Sequence, residues 1–278
     1  DNQDSLQQQL DTALEAFDLS WCDWQTVLIV SSKHAISTSF AEVRLYRIPT
    51  PRRDYSSVMT KLQEIAPQTW EALGGHGVIV PLVGIPSAYA IRQSPLVHRQ
   101  IATKLKRQPT RLTYSHPFDS KAVTVSANRT TYEELLTSIA DQLNVSIELT
   151  PSLRKIGLDL ANLRKTIQLK NISAADALDL LLRELVCTWV IDGNVILIQS
   201  LEEAESNVAA RQFSIKPSVP DGDGMMDLMQ TCVRPDSWEV FGGMGSLTVV
   251  RPGRYLIRQG QPAMREVEQF ITTLNSLR

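Results

Sequence analysis

Apolar positions along this chain alternate between a helical period and a strand period, and the same series of periods occurs twice. Leu6, Leu10, Ala13, Leu14 and Phe17 have helical spacing, and Ala174, Leu178, Leu181, Leu182 and Leu185 repeat it 168 residues later. Each series is preceded by a capping signature, Ser5-x-x-Gln8 in the first copy and the shorter Ser173-x-x-Asp176 in the second. Residues 21–30 and 189–198 then read as apolar strand, polar turn and apolar strand, a hairpin whose stronger turn signal is Asp192-Gly193-Asn194. Short alternating strands follow at 44–48 and 211–215, helices at about 57–65 and 225–233, and further strands at 89–93 and 255–259. Each copy closes on an amphipathic helix, marked by Val97, Ile101 and Leu105 or by Ala263, Val267 and Ile271.

The clearest trace of the duplication lies in the middle of each copy. Pro67, Trp70, Glu71, Gly74, Gly75 and Gly77 recur at the same offset of 168 as Pro235, Trp238, Glu239, Gly242, Gly243 and Gly245. These types describe backbone and burial. Proline cannot donate the intrahelical hydrogen bond and so ends a helix. Tryptophan supplies a large core anchor, and the glycines allow positive φ at a tight turn leading into a strand. A glycine loop that grips phosphate needs a strand before it and a helix after it. The predicted order is the reverse, which argues against that alternative.

The expected fold class is α+β, a tandem repeat of small two-layer domains. Residues 1–35 form a helix and hairpin, 36–113 a first βαββα module, 114–120 a linker containing His116 and Pro117, 121–202 a complete small domain, and 203–278 a second βαββα module. Within 121–172, which has no counterpart upstream, Val123–Val125 starts a strand and Thr131-x-x-Glu134 caps a helix through Leu143. A strand at 145–149, a loop or short turn over 151–163 and a strand at 166–169 complete the segment. The first copy opens directly on its helix, without the strand–helix–strand that precedes the helix in copy two. Either an N-terminal region has been removed or the first repeat is a half-domain.

Taken with these residues, the pattern resembles a known family. Val123-Thr-Val125, the helix to Leu143, Val145-Ser-Ile147, residues 166–169, 174–185 and 189–198 are similar to the short N-terminal domain shared by secretins and TonB-dependent receptors. Residues 153–169, and the following Arg-x-Phe-x-Ile and Pro-x-Ser-Trp…Gly-Gly-x-Gly module, resemble versions from large planctomycete envelope proteins. The βαββα order resembles the next periplasmic domain of secretins, of KH type. The resemblance implies a periplasmic or envelope location and a role in docking a protein partner or in self-association. It supplies no catalytic residue, and the chain has no outer-membrane barrel region on which a pore could be argued.

Composition changes this picture little. The chain has 278 residues, 43% of them hydrophobic, and a net charge of −2, as suits a globular protein of several domains. No apolar run approaches the roughly eighteen residues of a membrane span, and no signal-sequence pattern starts the chain. Cys22, Cys187 and Cys232 are too few for a disulfide framework, and none faces a cysteine in the other copy. Cys22 and Cys187 align with aliphatic residues and are read as core. His34, His76, His98 and His116 are scattered, without metal-ligand spacing, and are read as surface or loop residues. Glu71 and Glu239 recur singly beside tryptophan, as first-turn or hydrogen-bonding residues rather than halves of an acid/base pair.

No catalytic residue, metal ligand, cofactor or small-molecule substrate is therefore expected. Single-stranded nucleic acid is the rival ligand, because KH folds bind it through a Gly-x-x-Gly loop between helices. Here the glycines lie between helix and strand and the net charge is slightly acidic, while Arg52–Arg53 and Lys104–Arg107 read as solvated clusters. Arg92 and Arg258, flanking the repeated strands, are the residues that could line a shared contact face. Exposed sheet edges are the other adhesive feature expected of such small domains.

Overall fold

A computed structural model describes residues 2–24, 27–38, 40–49, 54–82, 85–112, 121–193, 195–216 and 223–277. In chain order the elements of the first copy are α1 (Asn2–Glu15), β1 (Leu19–Trp24), β2 (Val27–Ser32), α2 (Lys33–Thr38), β3 (Glu42–Arg47), α3 (Tyr55–Gln63), β4 (Val78–Pro81), β5 (Ala88–Gln93), α4 (Pro95–Leu105) and β6 (Thr110–Arg111). The chain continues through β7 (Ala122–Thr131), α5 (Tyr132–Leu143), β8 (Ser146–Leu149), α6 (Pro151–Lys155), β9 (Arg164–Ser173), α7 (Ala174–Arg183), β10 (Cys187–Asp192), β11 (Val195–Ser200) and α8 (Leu201–Ser206). It ends with β12 (Val208–Ser214), α9 (Asp223–Cys232), β13 (Ser246–Arg251), β14 (Arg254–Gly260) and α10 (Gln261–Ser276). The protein is α+β, built from small sheets with helices against them, in which each βαββα order is realised as expected. The proposed linker at 114–120 and the basic pair Arg52–Arg53 lie outside the described residues.

Two compact units form. The first contains Asp1–Leu112, Ile215–Val233 and Thr273–Arg278. Its larger sheet has the order β4-β5-β3-β6, with β5 antiparallel to both β4 and β3, and its smaller sheet is the hairpin β1-β2. Tyr46, Leu62, Ile65, Trp70, Ile79, Tyr89, Ile91, Val97 and Ile101 form a core beneath the larger sheet. Helix α4 opens where sequence rules place it: the Ser94 side chain accepts from the Val97 N–H, Pro95 follows it, and Lys106 ends the helix in the left-handed region at φ 51°. Helix α9 also belongs to this unit and lies across β4 and β5.

The second unit contains Thr113–Ser214 and Arg234–Thr272. It holds the sheets β10-β11-β8, β12-β14-β13 and β7-β9. Strand β8 runs parallel to β11, pairing Ile147 with Ile196 and Leu149 with Ile198. The capping box of α5 forms in full, Thr131 and Glu134 each bonding the other's backbone N–H at 3.2 and 3.0 Å. Leu135, Leu136, Ile139 and Leu143 are its buried face.

Two local expectations need correction, and two short helices were not foreseen. Ser173 caps α7, accepting from the Asp176 N–H at 3.0 Å, but Ser5 does not start α1, which already runs from Asn2. At Ser173 the cap forms because β9 delivers the chain there in an extended conformation. Residues 151–163 are more than a turn, since Pro151–Lys155 is helical and buries Leu153. Short helices α2 and α8 follow the two hairpins; Ser200 caps α8 through the Glu203 N–H.

Candidate interaction surfaces

The repeated glycine segment is a piece of architecture. In each copy a short 3-10 turn, Pro67–Thr69 or Pro235–Ser237, leads to a tryptophan buried to 1% or 0% exposure. The Trp70 indole N–H donates to the Ile65 carbonyl at 2.8 Å. Only the first glycine of each set has positive φ, Gly74 at 86° and Gly242 at 93°. The others are required by close approach. A Cβ on Gly75 or Gly243 would strike the carbonyl group of Thr69 or Ser237, and one on Gly77 or Gly245 would strike the amide of Gln93 or Gln259. That amide is fixed in turn: Gln93 Nε2 donates to the Thr69 hydroxyl at 2.8 Å, and Gln259 Nε2 to the Ser237 hydroxyl at 2.9 Å. The backbone donors of this turn are used internally, with Gly77 N–H to Thr69 O and Glu71 N–H to Gly77 O. Glu71 and Glu239 each start a second 3-10 turn and are exposed.

A second repeated constellation ties the helix–hairpin segment of each copy to the helix that closes the βαββα order after it. Trp21 on β1 donates its indole N–H to Asp11 of α1 at 2.8 Å, and the Arg99 guanidinium of α4 lies 3.9 Å from the Trp21 ring centre. Arg99 also donates to Asp11 at 3.2 Å and to the Trp21 carbonyl at 2.7 Å. In the second copy Trp189 donates to Asp179 at 2.7 Å, and Arg265 lies 3.9 Å over the Trp189 ring while donating to the Trp189 carbonyl at 2.6 Å. The guanidinium is held at once by a π face, a carboxylate and a carbonyl. Sequence reading paired the tryptophans but missed the partners, although Asp11/Asp179 recur at 168 and Arg99/Arg265 at 166, the offset of the neighbouring strand. Arg265→Ala is expected to cost about 2 kcal/mol and Arg99→Ala about 1 kcal/mol, because the second copy's lock is the less solvated. Urea unfolding checks this, and Lys at either position should not restore the loss.

Arg92 and Arg258 occupy equivalent positions in different surroundings. Arg92 shares a sheet face with Val43, Leu45, Val78, Val80, Ala88 and Ala90, as the pairing register shows. Leu45, Ala88 and Ala90 are buried, and α9 lies over this part of the sheet. The face of α9 formed by Met225, Leu228, Met229 and Cys232 is buried, and Cys232 sits close enough to feel the charge of Arg92. In the first copy the residues matching that helical face are Ser57, Thr60, Lys61 and Glu64, all polar. Arg92 itself donates to the His76 carbonyl at 3.1 Å. Arg258 has exposed Leu256 and Arg254 beside it on the same face of β14.

The two hairpins differ most. β1 and β2 form a two-stranded sheet, whereas the matching hairpin β10–β11 gains β8 as a third strand. Leu28 and Val30 on β2 are 51% and 45% exposed; their counterparts Ile196 and Ile198 are 1% and 0% exposed. Leu6 and Phe17 of the first copy are also exposed.

The buried histidine is a correction to the surface reading. His34 and His76 are exposed, and His116 lies outside the described residues, but His98 is fully buried on α4. Its Nε2 donates to the Glu42 carbonyl at 3.0 Å, its Nδ1 accepts from the Tyr46 hydroxyl at 2.9 Å, and its ring stacks on that tyrosine. Burial, with the positive charges of Arg44 and Arg111, lowers its pKa from 6.5 to about 3. The helical period that marks Val97 and Ile101 puts His98 on the adjoining inward edge, and its counterpart Met264 was the available signal. All three cysteines are buried thiols outside any disulfide, and burial pushes the Cys232 thiol up to about 12. Among the described residues no group of three or more His, Cys, Asp or Glu side chains could hold a metal ion. No described helix is long and apolar enough to cross a membrane.

The sequence matches no protein-family model and no curated protein. Among solved structures it is similar to a chain of the InvGN0N1:SpaPQR:PrgHK assembly from the Salmonella SPI-1 injectisome, at 14% identity and TM-score 0.26, over 56% of this chain and 96% of that one. It is similar to the Vibrio cholerae type IV competence pilus secretin PilQ at 19% identity and TM-score 0.23, over 54% of this chain and 38% of that one. For the N-terminal domain of the secretin XcpQ from Pseudomonas aeruginosa the values are 13% identity and TM-score 0.19, over 56% and 65%. Each likeness covers little more than half of this chain.

Proposed function

We propose that this chain is a non-enzymatic assembly module of the bacterial envelope, acting on the periplasmic side through protein–protein contact, and that the outer edge of β2 is where a partner strand adds. The observation behind this reading is the contrast between two copies of one hairpin. In the second copy the edge is completed by β8 in parallel and its apolar residues are buried; in the first the same positions face water. Among the described residues β2 pairs only with β1, and such an edge offers backbone N–H and C=O groups in strand register, to which the exposed Leu28 and Val30 add apolar side-chain specificity. The sequence resemblance to secretin short domains agrees with such a role.

The experiment offers the chain a polypeptide of residues 121–173, the strand–helix–strand type that covers the matching edge, and follows amide exchange at residues 27–30. Protection of these amides on binding, lost in a Leu28→Lys/Val30→Lys variant, is the expected result. Unchanged exchange, together with salt-sensitive binding of single-stranded RNA, would overturn it in favour of nucleic-acid recognition.

A further inference from the structure

We infer that the open face of the β12-β14-β13 sheet, centred on Arg254, Leu256 and Arg258, is a docking surface for an acidic amphipathic helix of a partner protein. This deepens the assembly reading and rests on it, but concerns a different surface from the β2 edge. The first ground is internal precedent. The equivalent face of the first module, with Ala88, Ala90 and Arg92 in place of Arg254, Leu256 and Arg258, has a helix lying over it, namely α9. A helix can thus lie over this side of the βαββα sheet, here against larger side chains than Ala88 and Ala90.

Charge is the second ground. The register puts Arg251 opposite Arg254, and Thr248 and Gln212 on either side of Leu256. Arg251, Arg254 and Leu256 are exposed, as is Arg258, and the three arginines have no ion pair or side-chain hydrogen bond among the described residues. Three uncompensated guanidinium groups around one exposed leucine fit carboxylates flanking an apolar residue. A second copy of this chain is the poorer fit. The outward face of α3 is Ser57, Thr60, Lys61 and Glu64, which brings no apolar residue and sets a lysine against arginines.

The spacing defines the partner further. Arg254 and Arg258 are four residues apart on a strand, about 13 Å, which a helix lying along the strand covers in about nine residues, less what the long arginine side chains reach. The fitting helix has carboxylates seven or eight residues apart with leucine or methionine midway, the span by which Met225 and Cys232 of α9 are separated.

The test titrates the full chain with a synthetic helical peptide bearing two Glu residues seven apart around a Leu-Met centre. Binding is expected to weaken by about tenfold or more in an Arg254→Glu/Arg258→Glu variant. A peptide with Lys in place of both Glu should regain affinity for that variant, and a Leu28→Lys/Val30→Lys chain should bind the acidic peptide normally. That last arm separates this surface from the β2 edge. Equal binding to wild type and the charge-reversed variant, no binding at all, or arginine-dependent binding of single-stranded RNA in its place would each overturn the inference.

Discussion

Trp238→Ala is expected to destabilise the second unit by about 3–5 kcal/mol, and Trp70→Ala the first unit by a similar amount. Both rings are essentially removed from solvent, so truncation leaves a large void at the point where each helix–turn–strand segment is anchored. For Trp70 the loss has a second component, because the Ile65 carbonyl is left without the indole N–H at 2.8 Å. Trp70→Phe separates the two: it keeps most of the apolar volume and should cost about 1–2 kcal/mol. Since the tryptophans belong to different units, urea unfolding followed by amide exchange should show each substitution lowering the stability of its own unit first. Losses within error at both positions would mean that the rings are not core anchors.

Acid should destabilise the first unit through His98. The imidazole is neutral and bonded at both nitrogens in the fold, with a pKa near 3 against 6.5 in an unfolded chain. Between these values the unfolded chain holds the extra proton, so stability rises with pH. The contribution is complete above pH 6.5 and is lost below it, at about 1.4 kcal/mol per pH unit toward pH 3. Glu42, whose carboxyl is raised chiefly by burial despite Arg44, acts with the opposite sign. The informative quantity is thus a difference between proteins. His98→Met, which installs the residue found at position 264, should remove about 2–3 kcal/mol of the loss between pH 7.5 and 4.5. The Tyr46 hydroxyl still reaches the residue 98 carbonyl at 3.3 Å in that variant. Parallel pH dependences for the two proteins would show that His98 is accessible to protons without unfolding.

The fold was readable wherever one residue type had one local job. Thr131 and Glu134 announced a helix start, and Trp70 and Trp238 a core anchor. Gly74 and Gly242 were correctly taken as positive-φ positions, but Gly75, Gly77 and their counterparts answer to a neighbouring carbonyl and a glutamine side chain, which no local pattern reveals. The Asp11–Trp21–Arg99 lock left a trace in the recurrence of its members, but only the fold brings them together from α1, β1 and α4. Ser5 misled because its capping pattern lies inside a helix that already runs from Asn2. Of the candidate surfaces, Arg92 and Arg258 were named from repetition alone. Repetition could not say that a helix lies over one face and not the other, since that depends on Met225, Leu228, Met229 and Cys232 replacing four polar residues.

That replacement bears on how the protein can be dissected. Residues 1–112 look like a natural fragment to express, since they contain a hairpin and an entire βαββα module. Cut there, the fragment loses α9, and Leu45, Ala88 and Ala90 would meet water as a bare oily sheet. Such a piece should clump or scavenge a surrogate helix, whereas a version carrying residues 215–233 on a flexible tether should stay monodisperse.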